Sequence, residues 1–133
     1  VIEPTVGIER ILLALLCDAY EEVRGGRTET TKATKEEEVV LRLNKKLAPI
    51  QVAVLPLVKN KENLVKKAKE VYQLLKSYFM VQHDEVGSIG RRYRRQDEIG
   101  TPFAITVDFE TLEKDDVTLR DRDTMKQERI KIQ

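Results

Sequence analysis

The stretch that decides the fold runs from Ile50 to Val58 and reads IQVAVLPLV. It is nearly continuously apolar and rich in β-branched residues, which is typical of a strand covered on both faces. Pro56 stands near its end, where a strand tolerates a missing N–H. Residues 61–79 then change to a helical period, because their apolar side chains recur at three- and four-residue spacing. A buried strand followed by an amphipathic helix predicts an α/β fold.

The chain beyond this helix predicts four more strands and one more helix, in the overall order β-α-β-α-β-β-β. This order is typical of a mixed five-stranded sheet flanked by helices. The further elements are a strand at 80–83, a helix within 86–100, strands at 103–109 and 117–122 joined by a hairpin connection at 113–116, and an edge strand within 125–133.

The segment before Ile50 differs in character from the rest. Residues 1–23 indicate a strand end, a turn and a helix whose apolar residues share one face. Residues 24–38 contain two glycines and then Thr, Lys and Glu with hardly an apolar side chain, so we expect a mobile loop there. We therefore divide the chain into an appendage at 1–23, a loop or linker at 24–46 and a domain at 47–133.

Composition excludes several classes of protein. The 133 residues carry 24 Lys and Arg against 23 Asp and Glu, and the net charge of +1 excludes a wholly basic nucleic-acid wrapper but leaves room for a local basic site. The longest apolar run, Ile11–Cys17, is much shorter than the roughly 20 residues that cross a bilayer, so we expect no membrane partner. No signal peptide is recognisable, and a first residue other than Met suggests that the sequence was cut from a longer one.

Neither the only cysteine nor the only histidine indicates a reactive site. Cys17 cannot close an intramolecular disulfide, which favours a reducing compartment, and we expect it to pack as a small apolar residue. His83 has no cysteine, serine or second histidine near it in the sequence. We therefore expect neither a catalytic triad nor a metal site.

Arginines concentrate in the predicted helix within 86–100, at Arg91, Arg92, Arg94 and Arg95. One interpretation is a solvated helix whose charges pair internally. The other is a contact with RNA or phosphate, because guanidinium groups bind phosphate bidentately and stack on bases, and Tyr93 adds an aromatic ring. The preceding stretch at 87–90 (GSIG) is either an ordinary capped turn or a phosphate-binding helix start.

A second charged group lies at the predicted hairpin. Arg120 and Arg122 project from one face of their strand and Asp121 from the other. Because Glu110 ends the partner strand, we expect it to lie near Arg120. A carboxylate beside a guanidinium forms either a plain salt bridge or a reader of base edges.

Four separated stretches carry a resemblance to a known family. The first, VIEPTVGIERILLALL at 1–16, is similar to the last signature of class II aminoacyl-tRNA synthetase catalytic domains. The stretch at 47–58, and those at 87–109 and 117–132, resemble the anticodon-binding domain of the glycyl-tRNA synthetase family. The motifs occur in the order found in that family and cover most of the chain.

The resemblance implies a homodimeric, cytoplasmic enzyme that activates glycine with ATP and Mg²⁺ and transfers the glycyl group to tRNA(Gly). Within it, Arg10 matches the arginine that clamps the ATP phosphates, and Glu3 matches the carboxylate that holds the glycine ammonium. Thr5 stands where the family usually has Ser, next to the glycine pocket. The earlier class II signatures and the family's final helix are absent from the 133 residues. We therefore expect an inactive C-terminal part, without a cofactor of its own.

Glycine codons place cytosines at the second and third anticodon positions. Cytosine offers an amino donor and two acceptors, which a carboxylate and a guanidinium complement. The resemblance implies a Glu and an Arg at this hairpin, so Glu110 and Arg120 are the first candidates for anticodon binding. The second candidates are Asp97, Glu98, Asp121 and Arg122, and the candidates for tRNA phosphates are Arg91, Arg92 and Arg95.

Two other functions are compatible with the same pattern. The fold also resembles the accessory subunit of mitochondrial DNA polymerase, which would make this chain a non-catalytic nucleic-acid-binding protein. A small-molecule-binding α/β module is the third possibility, and it would leave Arg120 and the arginines at 91–95 without a role.

Overall fold

The structure is a computed structural model that describes residues 1–25 and 37–132. Helices and strands alternate along most of the chain, as the hydrophobic periods predict. In chain order the elements are α1 (Ile8–Ala19), β1 (Tyr20–Val23), β2 (Glu38–Leu41), β3 (Val52–Pro56), α2 (Glu62–Lys76), β4 (Val81–His83), α3 (Ile89–Glu98), β5 (Phe103–Val107), α4 (Phe109–Lys114), β6 (Asp116–Asp121) and β7 (Gln127–Lys131).

The main sheet has five strands in the order β4-β3-β5-β6-β7. Its first three strands are parallel, and β5, β6 and β7 pair antiparallel. Every residue of β3 is buried, which is the environment that its continuous apolar sequence predicts. The mixed five-stranded sheet flanked by helices is therefore confirmed.

The two faces of this sheet are covered by different helices. On one face, α2 contributes Leu64, Ala68 and Val71 to a core with the alternate residues of β3 and β5. On the other face, Ile89 and Tyr93 of α3 pack on Ala53, Leu55 and Ala104. Alternation of side chains along β3 and β5 thus supplies both helix-packing surfaces.

The linker predicted at 24–46 contains a strand. β2 pairs antiparallel with β1 in a separate two-stranded sheet, with Tyr20 opposite Leu41. β2 also packs against α3, where Val40 is fully buried and Glu38 is nearly so. These tertiary contacts hold a four-residue strand that is too short to be recognised from the sequence alone. Most of the mobile loop predicted at 24–38 lies outside the described residues.

The predicted hairpin connection at 113–116 is also wrong. The chain leaves β5 at Val107 and forms the short helix α4 before β6 begins. Asp108 accepts a hydrogen bond from the Thr111 N–H, and the Thr111 hydroxyl accepts one from the Asp108 N–H, which makes a reciprocal capping box. The helix ends at Asp115, which adopts a left-handed conformation. Glu110 therefore lies on a helix and not at the end of a strand.

The predicted first helix is confirmed as α1, but residues 1–7 form no strand. Most apolar side chains of α1, including those of Ile8, Leu12 and Leu13, are exposed. Only Ala19, where the helix passes into β1, is buried.

Gly100 has a backbone conformation and surroundings that demand glycine. Its φ is +82°, and an added Cβ would lie 3.0 Å from Leu43 Cδ1 and 3.1 Å from the Leu41 carbonyl oxygen. We expect Gly100→Ala to lower the free energy of unfolding by about 1–3 kcal/mol. Gly90, inside α3, has open space around it, so Gly90→Ala should raise stability by about 0.5–1 kcal/mol. Urea unfolding of both variants checks this, and equal effects would contradict the packing of β2 against α3.

Asp121 links the turn after β6 to the turn that precedes β3. Burial acts to raise the pKa of its carboxyl, but hydrogen bonds from Lys45 and from the N–H groups of Thr124 and Asp123 outweigh it and lower the pKa from 3.8 to about 2. A carboxyl that binds protons more weakly when folded stabilises the fold above its unfolded pKa. We expect a contribution of about 2 kcal/mol that is present above pH 4 and lost as the pH falls towards 2. Urea unfolding should show this pH dependence reduced in Asp121→Asn, and parallel pH curves would contradict it.

Candidate nucleic-acid interface

The carboxyl ends of the parallel strands define one edge of the molecule. From β3 the chain passes through α2 to β4 on one side, whereas from β5 it passes through α4 to β6 on the other side. Ligands of open α/β sheets bind where neighbouring strands send their connections in opposite directions. In this chain that place lies between the ends of β3 and β5, where α2 and α4 begin and contact each other.

An aromatic ring is exposed at this edge. Phe109, the first residue of α4, retains 51% of its accessible surface. It lines an open pocket of about 440 Å³ together with Asn60, Lys61 and Asn63 from the start of α2. An exposed ring beside amide and ammonium groups offers stacking, hydrogen bonding and charge to one nucleotide.

A carboxylate and a guanidinium meet beside this ring. Oε2 of Glu110 lies 4.0 Å from Nη1 of Arg129 on β7 and 3.0 Å from Nζ of Lys114. Nη1 of Arg129 donates one short bond, to Asp108 at 2.8 Å, and its other contacts are long, with Thr118 at 3.4 Å and with Glu110. Of the two N–H groups on this nitrogen, one is held only by the long bond to Thr118, which a ligand could replace.

Two other carboxylates hold this guanidinium in place. Hydrogen bonds to Asp116 and Asp108 raise the pKa of Arg129, so it is always charged. Burial acts to raise the pKa of Asp108, but its bonds with Arg129 and Thr111 outweigh burial and lower that pKa. Because Asp108 also caps α4, one residue orients both Arg129 and the helix that carries Glu110.

The predicted contact between Glu110 and Arg120 is wrong. Arg120 lies opposite Ala104 in β5, on the face that α3 covers, and only 2% of its surface is exposed. Its two terminal nitrogens each donate to Asp97, both at 2.9 Å, and its guanidinium lies 4.8 Å from the centre of the Tyr93 ring. Arg120 and Asp97 thus satisfy each other beneath α3, away from Glu110.

Two more predicted RNA-binding arginines are buried. Arg122 donates to the carbonyl oxygens of Gly100 and Leu43 and pairs with Asp123. Arg92 donates to the carbonyl oxygens of Pro56 and Gly87, and burial lowers its pKa. These side chains close gaps between backbone segments, and neither is presented to solvent.

The other residues of α3 differ in accessibility. Arg91, Arg95 and Glu98 are exposed, and Arg95 donates to the carboxylate of Asp84. The ring of Tyr93 is packed inside, where burial raises the pKa of its hydroxyl and Thr106 is its hydrogen-bond partner. It is not an exposed stacking surface.

The stretch at 87–90 forms a capped turn, since the Ser88 hydroxyl accepts a hydrogen bond from the Arg91 N–H. At the chain's other end, Glu3, Thr5 and Arg10 are exposed at the start of α1 and before it. No contact with the carboxyl edge is seen for these three residues, whose proposed roles with ATP and glycine stay predictions.

Sequence reasoning missed four residues of this edge: Asn60, Asn63, Phe109 and Arg129. The apolar run at 103–109 predicts Phe109 at the end of a strand, whereas the Asp108–Thr111 spacing is a helix-start signal that indicates α4. Arg129 was overlooked because it stands among other charges on an edge strand. No local signal distinguishes it from its neighbours.

Known proteins resemble the chain along its whole length. Residues 51–133 match the family model described as anticodon binding domain. The chain belongs to that family. It is 52% identical to the glycine--tRNA ligase of Clostridium acetobutylicum over 100% of this chain, and 52% identical to that of Streptomyces coelicolor over 99%. It spans 27% and 28% of the length of these relatives.

Solved structures agree with this assignment. A prolyl-tRNA synthetase from Cryptosporidium parvum matches with a TM-score of 0.64 at 28% identity, over 68% of this chain and 20% of that one. The RNA binding domain of threonyl-tRNA synthetase from Cryptosporidium parvum Iowa II matches with a TM-score of 0.61 at 28% identity, over 68% of this chain and 22% of that one. The fold is therefore that of the anticodon-binding domains in class II synthetases.

Neither a membrane-spanning helix nor a metal-binding cluster is found in the described part of the chain. No helix within 1–25 and 37–132 is long and apolar enough to cross a bilayer. Over the same ranges, no three His, Cys, Asp or Glu side chains come together as potential metal ligands.

Removal of Arg120 should test its structural role. Arg120→Ala removes the two hydrogen bonds that the guanidinium donates to the buried carboxylate of Asp97, which should lower the free energy of unfolding by about 3–5 kcal/mol. Arg91→Ala, at an exposed position on the same helix as Asp97, should change stability by no more than about 0.5 kcal/mol. Urea unfolding checks both values. A stable Arg120→Ala variant that loses only RNA affinity would restore the original assignment.

Proposed function

We propose that this chain is the anticodon-binding part of a glycine–tRNA ligase and that it reads the cytosines of tRNA(Gly). The observation that carries the proposal is the approach of Glu110 to Arg129 beside the exposed ring of Phe109. The family and the 52% identity to glycine--tRNA ligases support the identity of the RNA.

The chemistry of cytosine fits the Glu110–Arg129 pair. Its N4 amino group donates a hydrogen bond, and N3 and O2 accept. Glu110 has an exposed carboxylate to accept from N4, and the Arg129 N–H that makes the long bond to Thr118 can donate to N3 or O2 in its place. Uracil presents an acceptor where cytosine presents the amino donor, so it would face the carboxylate of Glu110 with lone pairs.

The ring of Phe109 adds binding energy without sequence information. Stacking of a base on an aromatic side chain contributes about 1–3 kcal/mol, whichever base is bound. The amides of Asn60 and Asn63 share the Phe109 pocket and can hydrogen-bond to a neighbouring base or sugar. Phe109 therefore supports affinity, while Glu110 and Arg129 supply discrimination.

The activity of the whole enzyme belongs to the proposal as well. The whole enzyme is proposed to be a cytoplasmic homodimer that joins glycine to tRNA with ATP and Mg²⁺. The relatives' name, glycine--tRNA ligase, supports the joining of glycine to tRNA, and the motif at 1–16 resembles a class II catalytic signature. Arg10 is exposed, with no ion-pair partner among the described residues, so its guanidinium fits the ATP phosphates. Glu3 and Thr5 remain the candidates for glycine. Since the described residues contain no cluster of potential metal ligands, they do not fit Mg²⁺.

Substitution of Glu110 should test the reading of cytosine. The full chain is titrated with anticodon stem-loops that differ only in CC or UU at the second and third anticodon positions. Glu110→Gln should reduce the preference for CC by about 1–3 kcal/mol, since the amide no longer offers a charged acceptor to the amino group. Binding of the UU stem-loop should not weaken, because the Gln side chain also carries an NH2 group that can donate to O4 of uracil.

Glu113→Gln is the matched control, because Glu113 is exposed on the same short helix and carries the same charge. It should leave the preference for CC unchanged. Equal effects of the two substitutions would contradict the proposal. A wild-type chain that binds both stem-loops equally would instead favour a nucleic-acid-binding accessory protein with this fold.

A further inference from the structure

A groove runs along the exposed side of α2, next to the Phe109 pocket. It lies between α2 and the segment at 84–86 that follows β4, and its volume is about 900 Å³. Glu62 and Asn63 line both this groove and the Phe109 pocket, so the two are continuous around the start of α2. A ligand bound at the Phe109 pocket can therefore extend into the groove.

Three lysines line this groove: Lys59, Lys66 and Lys69. All three are exposed, and none has a carboxylate within ion-pairing distance among the described residues. Lys67, on the same helix but outside the groove, lies 2.6 Å from Asp115. Internal pairing thus neutralises the lysine that faces α4 and leaves the groove lysines available to an anion from outside.

The spacing of these groups forms a row. Asn63, Lys66 and Lys69 follow one another at three-residue steps, which places neighbouring Cβ atoms about 5–6 Å apart on one side of a helix. Glu85 faces them from the opposite wall, and its carboxylate lies 3.8 Å from Nε2 of His83 at the end of β4. With Glu62 included, the groove carries three cations and two anions, and the cations are concentrated along α2.

We propose that this groove binds the phosphate backbone of the RNA strand whose bases reach the Glu110–Arg129 pair. The inference rests on the proposed function for the identity of the RNA. Lys66 and Lys69 each contact a phosphate and supply affinity that does not depend on sequence. The chain thus separates its phosphate contacts, on α2, from its base contacts, at α4 and β7.

The salt dependence of binding tests this assignment. The full chain and its variants are titrated with the CC and UU stem-loops from 50 to 200 mM salt. Each lost phosphate contact reduces the slope of log affinity against log salt by about 0.7 for single-stranded RNA. The double variant Lys66→Gln with Lys69→Gln should therefore flatten the slope by about 1.4, with the CC preference unchanged.

The matched control removes two exposed lysines at the other end of the sheet. Lys46 lies in the turn before β3. Lys76 is the last residue of α2, and the residues of α2 that line the groove are at its other end. Lys46→Gln with Lys76→Gln changes the net charge equally and should leave the slope close to that of the wild type. Equal slopes for the two double variants would overturn the groove assignment, even if the CC preference of the wild type were intact.

The outcome separates this inference from the proposed function. If the wild type does not prefer CC, and the salt slope is flattened in the groove variant but not in the control variant, the proposed anticodon reading is refuted and the phosphate-binding groove is retained. Loss of the CC preference in the groove variant alone would show that these lysines act on bases and would overturn the inference. A wild type that binds neither stem-loop would overturn both.

Discussion

A guanidinium that leaves water must satisfy its hydrogen bonds inside the protein, and one face of this molecule is organised by that requirement. Beneath and beside α3, Arg92, Arg120 and Arg122 are almost fully buried. Arg120 pairs with a carboxylate of α3 itself, whereas Arg92 and Arg122 bind carbonyl oxygens of the backbone. Such groups fix the relative position of the segments that supply their acceptors, because loss of either partner leaves a buried polar group unsatisfied. The buried arginines of this face therefore have a structural role, because their hydrogen bonds hold α3, the sheet and the segment around Leu43 together.

The buried arginines limit which part of the molecule is accessible to RNA bases. The face under α3 is occupied by its own ion pairs. The side chains that we propose for base contacts, Phe109, Glu110 and Arg129, lie instead at the carboxyl edge, around the start of α4. Asp108 controls this edge, because it caps α4 and also holds Arg129. The short helix turns Phe109 towards α2 and Glu110 towards β7. The six-residue helix α4 thus brings together the proposed stacking surface and the proposed base-reading pair.

The proposed division between base contacts and phosphate contacts follows the general logic of nucleic-acid recognition. Phosphate contacts provide affinity and register, and contacts with base edges provide discrimination. In this chain the two sets lie on adjacent elements that meet at Glu62 and Asn63. A net charge of only +1 is compatible with RNA binding, because internal ion pairs neutralise cations such as Lys67, Arg120 and Arg129, whereas no ion pair is found for the three groove lysines among the described residues.

The sequence by itself determined the α/β class, the five-stranded mixed sheet and the helices α1, α2 and α3, because hydrophobic periods and turn residues act over a few neighbouring positions. It also carried the motifs that relate the chain to its family. Only the tertiary structure decided that β2 forms inside the predicted linker and that Glu110 lies near Arg129 and not Arg120. The two arginines are chemically identical, and no local pattern tells which one lies under a helix. Burial and ion pairing join residues that are far apart in the chain. The fold therefore decides that Arg120 is a buried structural residue and that Arg129 is the candidate for contact with a base.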